Sequence, residues 1–166
     1  MNSIIIQEIT SAQIHAYKHF FHQGLVLDED SFRITPNDDA HAPFPTNDTP
    51  DSFTLGAYEE GTLRGVVSFM RDGMNREKLR HKGILFRMYC APQARGRGIG
   101  ARLIDEVLLR ARKLGDIERI NLTVVAHNTA ARGLYEKFGF RLFATEDHAI
   151  FWKGQYYTEC QMALQL

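Results

Sequence analysis

The sequence predicts a mixed α/β fold, a central β-sheet flanked by helices, and three observations predict it. Residues 83–126 read as strand, glycine turn, helix and strand, a unit with a right-handed crossover and locally parallel strands. Turn signals at Glu60–Gly61 and Lys153–Gly154 each join two β-prone runs, so antiparallel hairpins lie on either side of that unit and the sheet is mixed. The chain of 166 residues, 44% hydrophobic, has no repeat, low-complexity tract or linker, which makes residues 1–166 a single domain with room for one core.

Taken in order, residues 3–9 are short, apolar and β-branched and predict a first strand. Thr10 or Ser11 then caps a helix whose apolar face is Ile14, Tyr17, Phe21 and Leu25. His15, His19 and His22 share a different face, at i, i+4 and i+7, a spacing open to a divalent metal. With no cysteine or clear carboxylate ligand nearby, they read instead as the solvated flank of an amphipathic helix, and no metal is expected. Residues 28–51 change character: seven carboxylates, from Asp28 to Asp51, face the single basic residue Arg33. Pro36, Pro43, Pro45 and Pro50 predict no regular element there.

Residues 53–59 and 63–70 are the two strands of the first hairpin, and Asp72–Gly73 ends the second of them. Residues 75–81 are polar and basic and read as a surface connection. Residues 83–90 form the next strand, and the helix from Gly98 to about Leu114, with Ile99, Leu103 and Val107 at helical spacing, closes at Gly115. Residues 118–126 read as an interior strand. Asn128 or Thr129 caps a second helix that stops at Gly139, residues 140–145 form a strand, and residues 150–152 and 156–164 complete a hairpin.

Composition sets limits on partners. Twenty Lys and Arg balance twenty Asp and Glu, so long-range attraction to nucleic acid or to an anionic membrane is not indicated. No stretch approaches the length of a transmembrane helix, and the N-terminal run lacks the charged region and cleavage site of a signal peptide. Cys90 and Cys160 are far apart, each in a strand-like run, and read as reduced thiols of a cytoplasmic protein.

The chemistry is concentrated in residues 86–103. An apolar strand is stopped by Pro92, a glycine-rich turn follows, and a helix begins. Such a turn lets the backbone approach a ligand closely while the first free amides of the helix point at it, which suits a pyrophosphate. Arg95, Arg97 and Arg102 add positive charge. Gly96-x-Gly98-x-x-Ala101 also satisfies a dinucleotide fingerprint. That reading wants an acidic residue at the end of the next strand, whereas Asp116 precedes that strand, so an oxidoreductase is the weakest reading. A nucleoside-triphosphate loop is excluded, because no Gly-Lys-Ser/Thr follows the glycines.

Arg95-Gly-Arg-Gly98-Ile-Gly100 resembles motif A of the GNAT superfamily of N-acetyltransferases, Arg/Gln-x-x-Gly-x-Gly/Ala. Downstream, Asn128 through Phe140, with Ala131, Leu134, Tyr135 and Gly139 in register, resembles that family's motif B. Two motifs in order with a strand between them are far more specific than either alone, and the resemblance covers roughly residues 53–140. It implies a GNAT-like fold and acetyl-CoA as co-substrate.

The resemblance further implies that amides from Arg97 through Ala101 (Arg97, Gly98, Ile99, Gly100 and Ala101) grip the pyrophosphate, with Gly96 in the turn and Arg95 beside it. The uncharged pantetheine arm would lie along the strand at Met88, Tyr89 and Cys90, where backbone groups are left free and one amide can face the thioester oxygen. Asn128 would contact the cofactor, a role compatible with helix capping. Tyr135 occupies the general-acid position: a phenol of pKa about 10 is a sensible proton source for a thiolate of pKa about 8.5. The competing reading of Tyr135 is a helix tyrosine packed into the core.

The base is not given by the motifs. An alkyl amine is only about one part in a thousand neutral at pH 7, a deficit on the order of 4 kcal/mol. Many relatives answer it with a glutamate on the motif A strand, but this strand carries no carboxylate from Ile84 to Met88. Glu159, His148 and Asp30 are the alternatives, each read first as a surface residue, alongside a water chain. Phe32, Phe44, residues 28–30, Trp152, Tyr156 and Tyr157 form an aromatic and acidic mixture suited to a small-molecule or peptide amine acceptor, and equally to an ordinary loop and hairpin. The acidic segment 28–51 carries the same two readings. The expected function is therefore acetyl-CoA-dependent N-acetyl transfer, and the alternative is a catalytically silent acyl-CoA-binding sensor. No nucleic acid or membrane partner is expected, and a homodimer is left open.

Overall fold

The computed structural model describes residues 3–166; Met1 and Asn2, the first positions of the run read as lacking a leader, lie outside the described residues. A seven-stranded sheet organises the chain. Its strands are β1 (Ile4–Ile9), β2 (Ser52–Glu59), β3 (Thr62–Arg71), β4 (Lys82–Cys90), β5 (Arg119–Val125), β6 (Arg141–Trp152) and β7 (Gln155–Gln165). The helices are α1 (Ile14–Leu27), α2 (Pro36–His41), α3 (Ile99–Leu114) and α4 (Thr129–Lys137). The spatial order β1-β2-β3-β4-β5-β7-β6 is antiparallel throughout except for β4 and β5, which run parallel. This is the mixed sheet that the two hairpins and the crossover predict. Among the described residues no helix is long and apolar enough to cross a membrane.

Both hairpins turn through two residues of positive φ, Glu60–Gly61 and Lys153–Gly154, the geometry that matches the twist of the paired strands. Helix α3 buries Ile99, Leu103, Ile104, Val107, Leu108 and Ala111 against β1–β4 and ends at Gly115 in the left-handed conformation. On the other face of the sheet, α1 buries Tyr17, Phe20, Phe21 and Leu25. Phe20 and Phe32 pack on the Tyr89 ring of β4, and Tyr17 packs on Phe21 and Phe44. The Thr54 hydroxyl of β2 bonds those of Ser68 on β3 and of Thr46 in the preceding loop, each at 2.8 Å, so these buried polar side chains are satisfied.

Two expectations from the sequence are corrected. Residues 28–51 are not free of regular structure, because α2 forms inside them. Pro36 opens that helix instead of breaking it: Thr35 is the N-cap, Asp38 completes the capping box, and proline at the first helical position loses no intrahelical bond. Residues 140–145 and 150–152 are not separate strands but parts of one twelve-residue strand, β6, whose register breaks between Glu146 and Ile150 where His148 takes a positive φ. His15, His19 and His22 lie exposed on the outer face of α1.

Strand β4 pairs with β5 over three residues only, Lys82, Gly83 and Ile84. At Gly83 the approach is tight: a Cβ would lie 2.4 Å from the ring of Phe69, which is itself stacked on Phe53 at 5.3 Å. Gly83→Ala is therefore expected to destabilise the protein by about 1–3 kcal/mol. Urea denaturation checks this, and an unchanged midpoint would mean that Phe69 yields freely.

Candidate active site

The site begins where β4 leaves β5. Past Ile84 the two strands part, and β5 continues against β7 as far as Val125–Glu159 while β4 continues against β3. Ala91 N–H donates to Arg64 O at 2.9 Å, towards β3. The alternation of peptide groups along a strand then turns those of Cys90 and Met88 to the open side and those of Tyr89 back to β3. Of the three residues expected to offer free backbone, Met88 and Cys90 face the opening. The Cys90 carbonyl is already used, by Arg95 Nε at 3.1 Å.

A bulge shapes the same strand. Arg87 has φ 51°, and Arg87 and Met88 together oppose Val67 of β3. The bulge sends the Arg87 guanidinium to Asp39 of α2, at 2.6 Å and over the Phe21 ring. Asp39 is 3% exposed, and its carbonyl also accepts from Lys18 Nζ at 2.7 Å. The acidic segment is thus clamped to the strand that opens.

At the end of β4 the chain turns through Gly96 and Gly98, with φ 72° and 77°, into the first turn of α3. Nothing lies within 4 Å of where a Cβ would stand on either residue, so glycine is needed there for its conformation and the space above it stays open. The first backbone bond at the start of α3 is Arg102 N–H to Gly98 O, and no side chain caps the helix. Among the described residues the amides of Ile99, Gly100 and Ala101 are therefore unpaired, at the positive end of the helix dipole. The arginines do not stand free around them. Arg95 pairs with Asp28, and Arg97 pairs with Glu59, which also takes Arg64. Arg97 holds the Glu59 carboxyl below the usual range. Arg102 is exposed and pairs with no carboxylate among the described residues.

Tyr135 of α4 is 6% exposed, its ring against Phe140 at 5.8 Å. Burial, with Cys90 adding to it, raises the phenol well above its ordinary range. Its hydroxyl makes no hydrogen bond among the described residues. The reading of Tyr135 as a tyrosine packed in the core describes its ring, and its hydroxyl is unengaged among the described residues. Burial likewise pushes the Cys90 thiol up to about 11, with Arg95 opposing, so it stays protonated at neutral pH. Asn128 caps α4 by accepting from Ala131 N–H at 3.2 Å.

On the α1 face, residues 29–38 and the tip of the β6–β7 hairpin enclose a groove of about 240 Å³. Glu29, Asp30 and Asp38 line it with Phe32, Trp152 and Tyr157, and Arg33 is the cation among them. Lys153 bonds Glu29 at 2.7 Å across the mouth. The expected aromatic and acidic mixture is brought together here in part. Phe44 is instead buried against Tyr17, and Tyr156 is exposed and stacked on His148. Of the three candidate bases, His148 and Asp30 are exposed, but Glu159 is 2% exposed, which overturns its reading as a surface residue.

The sequence model of the acetyltransferase (GNAT) family matches residues 15–140, extending the likeness well before residue 53. The chain is 29% identical over 91 residues to the L-2,4-diaminobutyric acid acetyltransferase of Chromohalobacter salexigens, a match covering 55% of this chain and 45% of that protein. It thus spans under half the length of that curated relative. The acetyltransferase of GNAT family from Streptococcus pneumoniae superposes with a TM-score of 0.84 at 21% identity, covering 99% of this chain and 100% of that one. The yncA protein of Salmonella typhimurium, solved with its cofactor acetyl-CoA, superposes with a TM-score of 0.79 at 19% identity, covering 98% and 94%. At these identities the structural likeness establishes the fold. With most of its length matched by the family model, the chain belongs to the GNAT acetyltransferase family.

Asn128→Ala removes the cap of α4 and is expected to cost about 1 kcal/mol. Urea denaturation measures it without any ligand, and an unchanged stability would show that the cap bond contributes nothing.

Proposed function

We propose that the protein transfers an acetyl group from acetyl-CoA to a primary amine of a small molecule or peptide. The observation that carries this reading is the unpaired first turn of α3, set beside a strand that leaves β5 after Ile84 and turns the peptide groups of Met88 and Cys90 to the opening. The residues present fit a pyrophosphate-bearing thioester. The positive-φ turn and the amides through Ala101 form a concave set of donors, and Arg102 stands exposed nearby. Asp28 and Glu59 already hold Arg95 and Arg97, so a phosphate would meet backbone dipoles first and exchange carboxylate partners for those two side chains. The Met88 and Cys90 peptide groups would hold the uncharged arm.

The chemistry is an exchange of one bond for another. A nitrogen–carbon bond forms, the carbon–sulfur bond breaks, and the electron pair of the broken bond leaves on sulfur. Tyr135 donates its proton to that sulfur, and the phenolate is refilled by the proton shed from nitrogen as the amide forms. The raised pKa of Tyr135 keeps it protonated until sulfur departs, and the same burial makes this transfer favourable only when coupled to loss of the nitrogen proton. Cys90, a thiol with its pKa pushed up to about 11, is not poised to carry the acyl group, which favours direct transfer over a covalent intermediate. The groove between residues 29–38 and the β6–β7 hairpin is the acceptor's place in this reading, its carboxylates and aromatic rings suiting a cationic amine.

The second reading, an acyl-CoA sensor without turnover, draws on the absence of a carboxylate on β4 beside the opening. Calorimetry with acetyl-CoA, followed by thiol release against primary amines that include 2,4-diaminobutyrate, separates the two. Binding with turnover supports the transferase, binding without it across the panel supports the sensor, and no binding refutes both. Gly98→Asp is expected to abolish acetyl-CoA binding, since a side chain and a negative charge enter the anion site; unchanged affinity would sink the argument from the glycine turn. Tyr135→Phe is expected to lower turnover about 10²- to 10⁴-fold with acetyl-CoA affinity nearly unchanged. A wild-type rate would place the proton source elsewhere.

A further inference from the structure

Glu159 is the one buried carboxylate among the described residues with an oxygen left without a hydrogen bond. It lies on β7 opposite Val125, the last residue of β5, and two residues along the strand from Tyr157, which lines the acceptor groove. Side chains two apart on a strand share a face, so Tyr157 leads from the groove to Glu159. Above it is Arg33, which also lines the groove and is largely exposed. Arg33 Nε stands 2.9 Å from Glu159 Oε2 without hydrogen-bond geometry. Phe32, the residue before Arg33, packs on Tyr89 of β4. The dipeptide Phe32–Arg33 therefore spans the parting of the sheet, with one side chain on the β4 half and the other on the β7 half.

We infer that Glu159 is the base that takes the proton from the acceptor's ammonium, and that Arg33 is the cation the ammonium replaces over it. The inference rests on the transferase reading above. In the step, an ammonium N–H bond breaks, its electron pair stays on nitrogen, and the proton goes to the Glu159 carboxylate. After the acetylated product leaves, the carboxyl returns that proton to solvent. An incoming primary ammonium matches the charge of Arg33 and carries the hydrogen-bond donors that Glu159 Oε2 lacks.

The groups facing Glu159 tune it. From residues 28–36 comes Arg33; from β6 comes Glu146, directly opposite in register; from β5 comes the apolar Val125; and Tyr157 and Gln161 are its neighbours on β7. Burial raises the carboxyl above the usual glutamate range, Arg33 lowers it and Glu146 raises it. A raised carboxylate is a stronger base, closer to the task of deprotonating an ammonium near neutral pH. It must be ionised to act, so the rate should fall as pH drops through its pKa.

The test is kcat/KM against pH for the best amine of the panel, with acetyl-CoA affinity measured on the same samples by calorimetry. Glu159→Gln is expected to lower kcat about 10²- to 10⁴-fold and to erase the acidic limb, with acetyl-CoA affinity unchanged. Glu159→Asp should restore part of the rate. Arg33→Gln should move the acidic limb to higher pH, because burial and Glu146 then act unopposed. A Glu159→Gln enzyme with the wild-type rate and profile overturns the inference and leaves the transferase standing; loss of acetyl-CoA binding in the wild type refutes the transferase reading itself. If no amine turns over, carbon-13 spectra of glutamate-labelled protein decide. The Glu159 carboxyl signal, assigned by its loss in Glu159→Gln, should shift with n-propylammonium and not with tetramethylammonium, and an unmoved signal overturns the inference.

Discussion

The parting of β4 from β5 is the constraint on which the rest of the architecture depends. A strand inside a sheet cannot abandon a neighbour cheaply, because each freed amide and carbonyl buried without a partner costs on the order of 1–3 kcal/mol. The chain answers this with several devices. Strand β7 enters from the far side to pair with β5, Arg95 covers the Cys90 carbonyl, and the bulge at Arg87 rotates the end of β4 while its guanidinium is held by Asp39. What remains unpaired at Met88 and at the start of α3 is a short track of backbone polarity, continuous with the glycine turn. The backbone polarity proposed above to bind an anion and an uncharged arm is what is left when those repairs are made.

Electrostatics around the opening is arranged as paired charge. Asp28, Asp39, Glu59 and Glu159 each sit against an arginine, and the carboxylates of the last three are largely buried. Three of these pairs join segments far apart in the chain, and the fourth, Glu59 with Arg97, ties the first hairpin to the glycine turn. The pairs hold the walls of the site in place as much as they set its potential. A buried pair broken on one side leaves an uncompensated charge, so each is costly to disturb by truncation even where its net contribution is small.

Much of this was legible in the sequence where the signal is local. The glycine turn, the caps at Asn128 and Gly115 and both two-residue hairpin turns depend on residues adjacent in the chain, and all lie where their chemistry places them. Helix α2 had a local signal too: Thr35-Pro36-Asn37-Asp38 is a capping box with proline in the first turn, although four prolines in the surrounding segment point the other way. The Asp39–Arg87 and Arg33–Glu159 pairs had none. Their partners are 48 and 126 positions apart, and only the bulge in β4 and the insertion of β7 beside β5 bring them together. For the same reason Glu159 reads as an ordinary polar position of an edge hairpin until the strand order is known. Strand β6, not β7, is the edge.

That edge is long, and it carries exposed Leu142, Phe143 and Phe151. A flat twelve-residue edge with such side chains would be a template for strand addition by other chains and for aggregation. The register break between Glu146 and Ile150 divides it into two short stretches, and Glu146, Asp147 and His148 occupy the division with exposed polar side chains. The irregularity that splits the strand thus also acts as its gatekeeper: neither stretch presents a continuous ladder of the length that fibril growth requires.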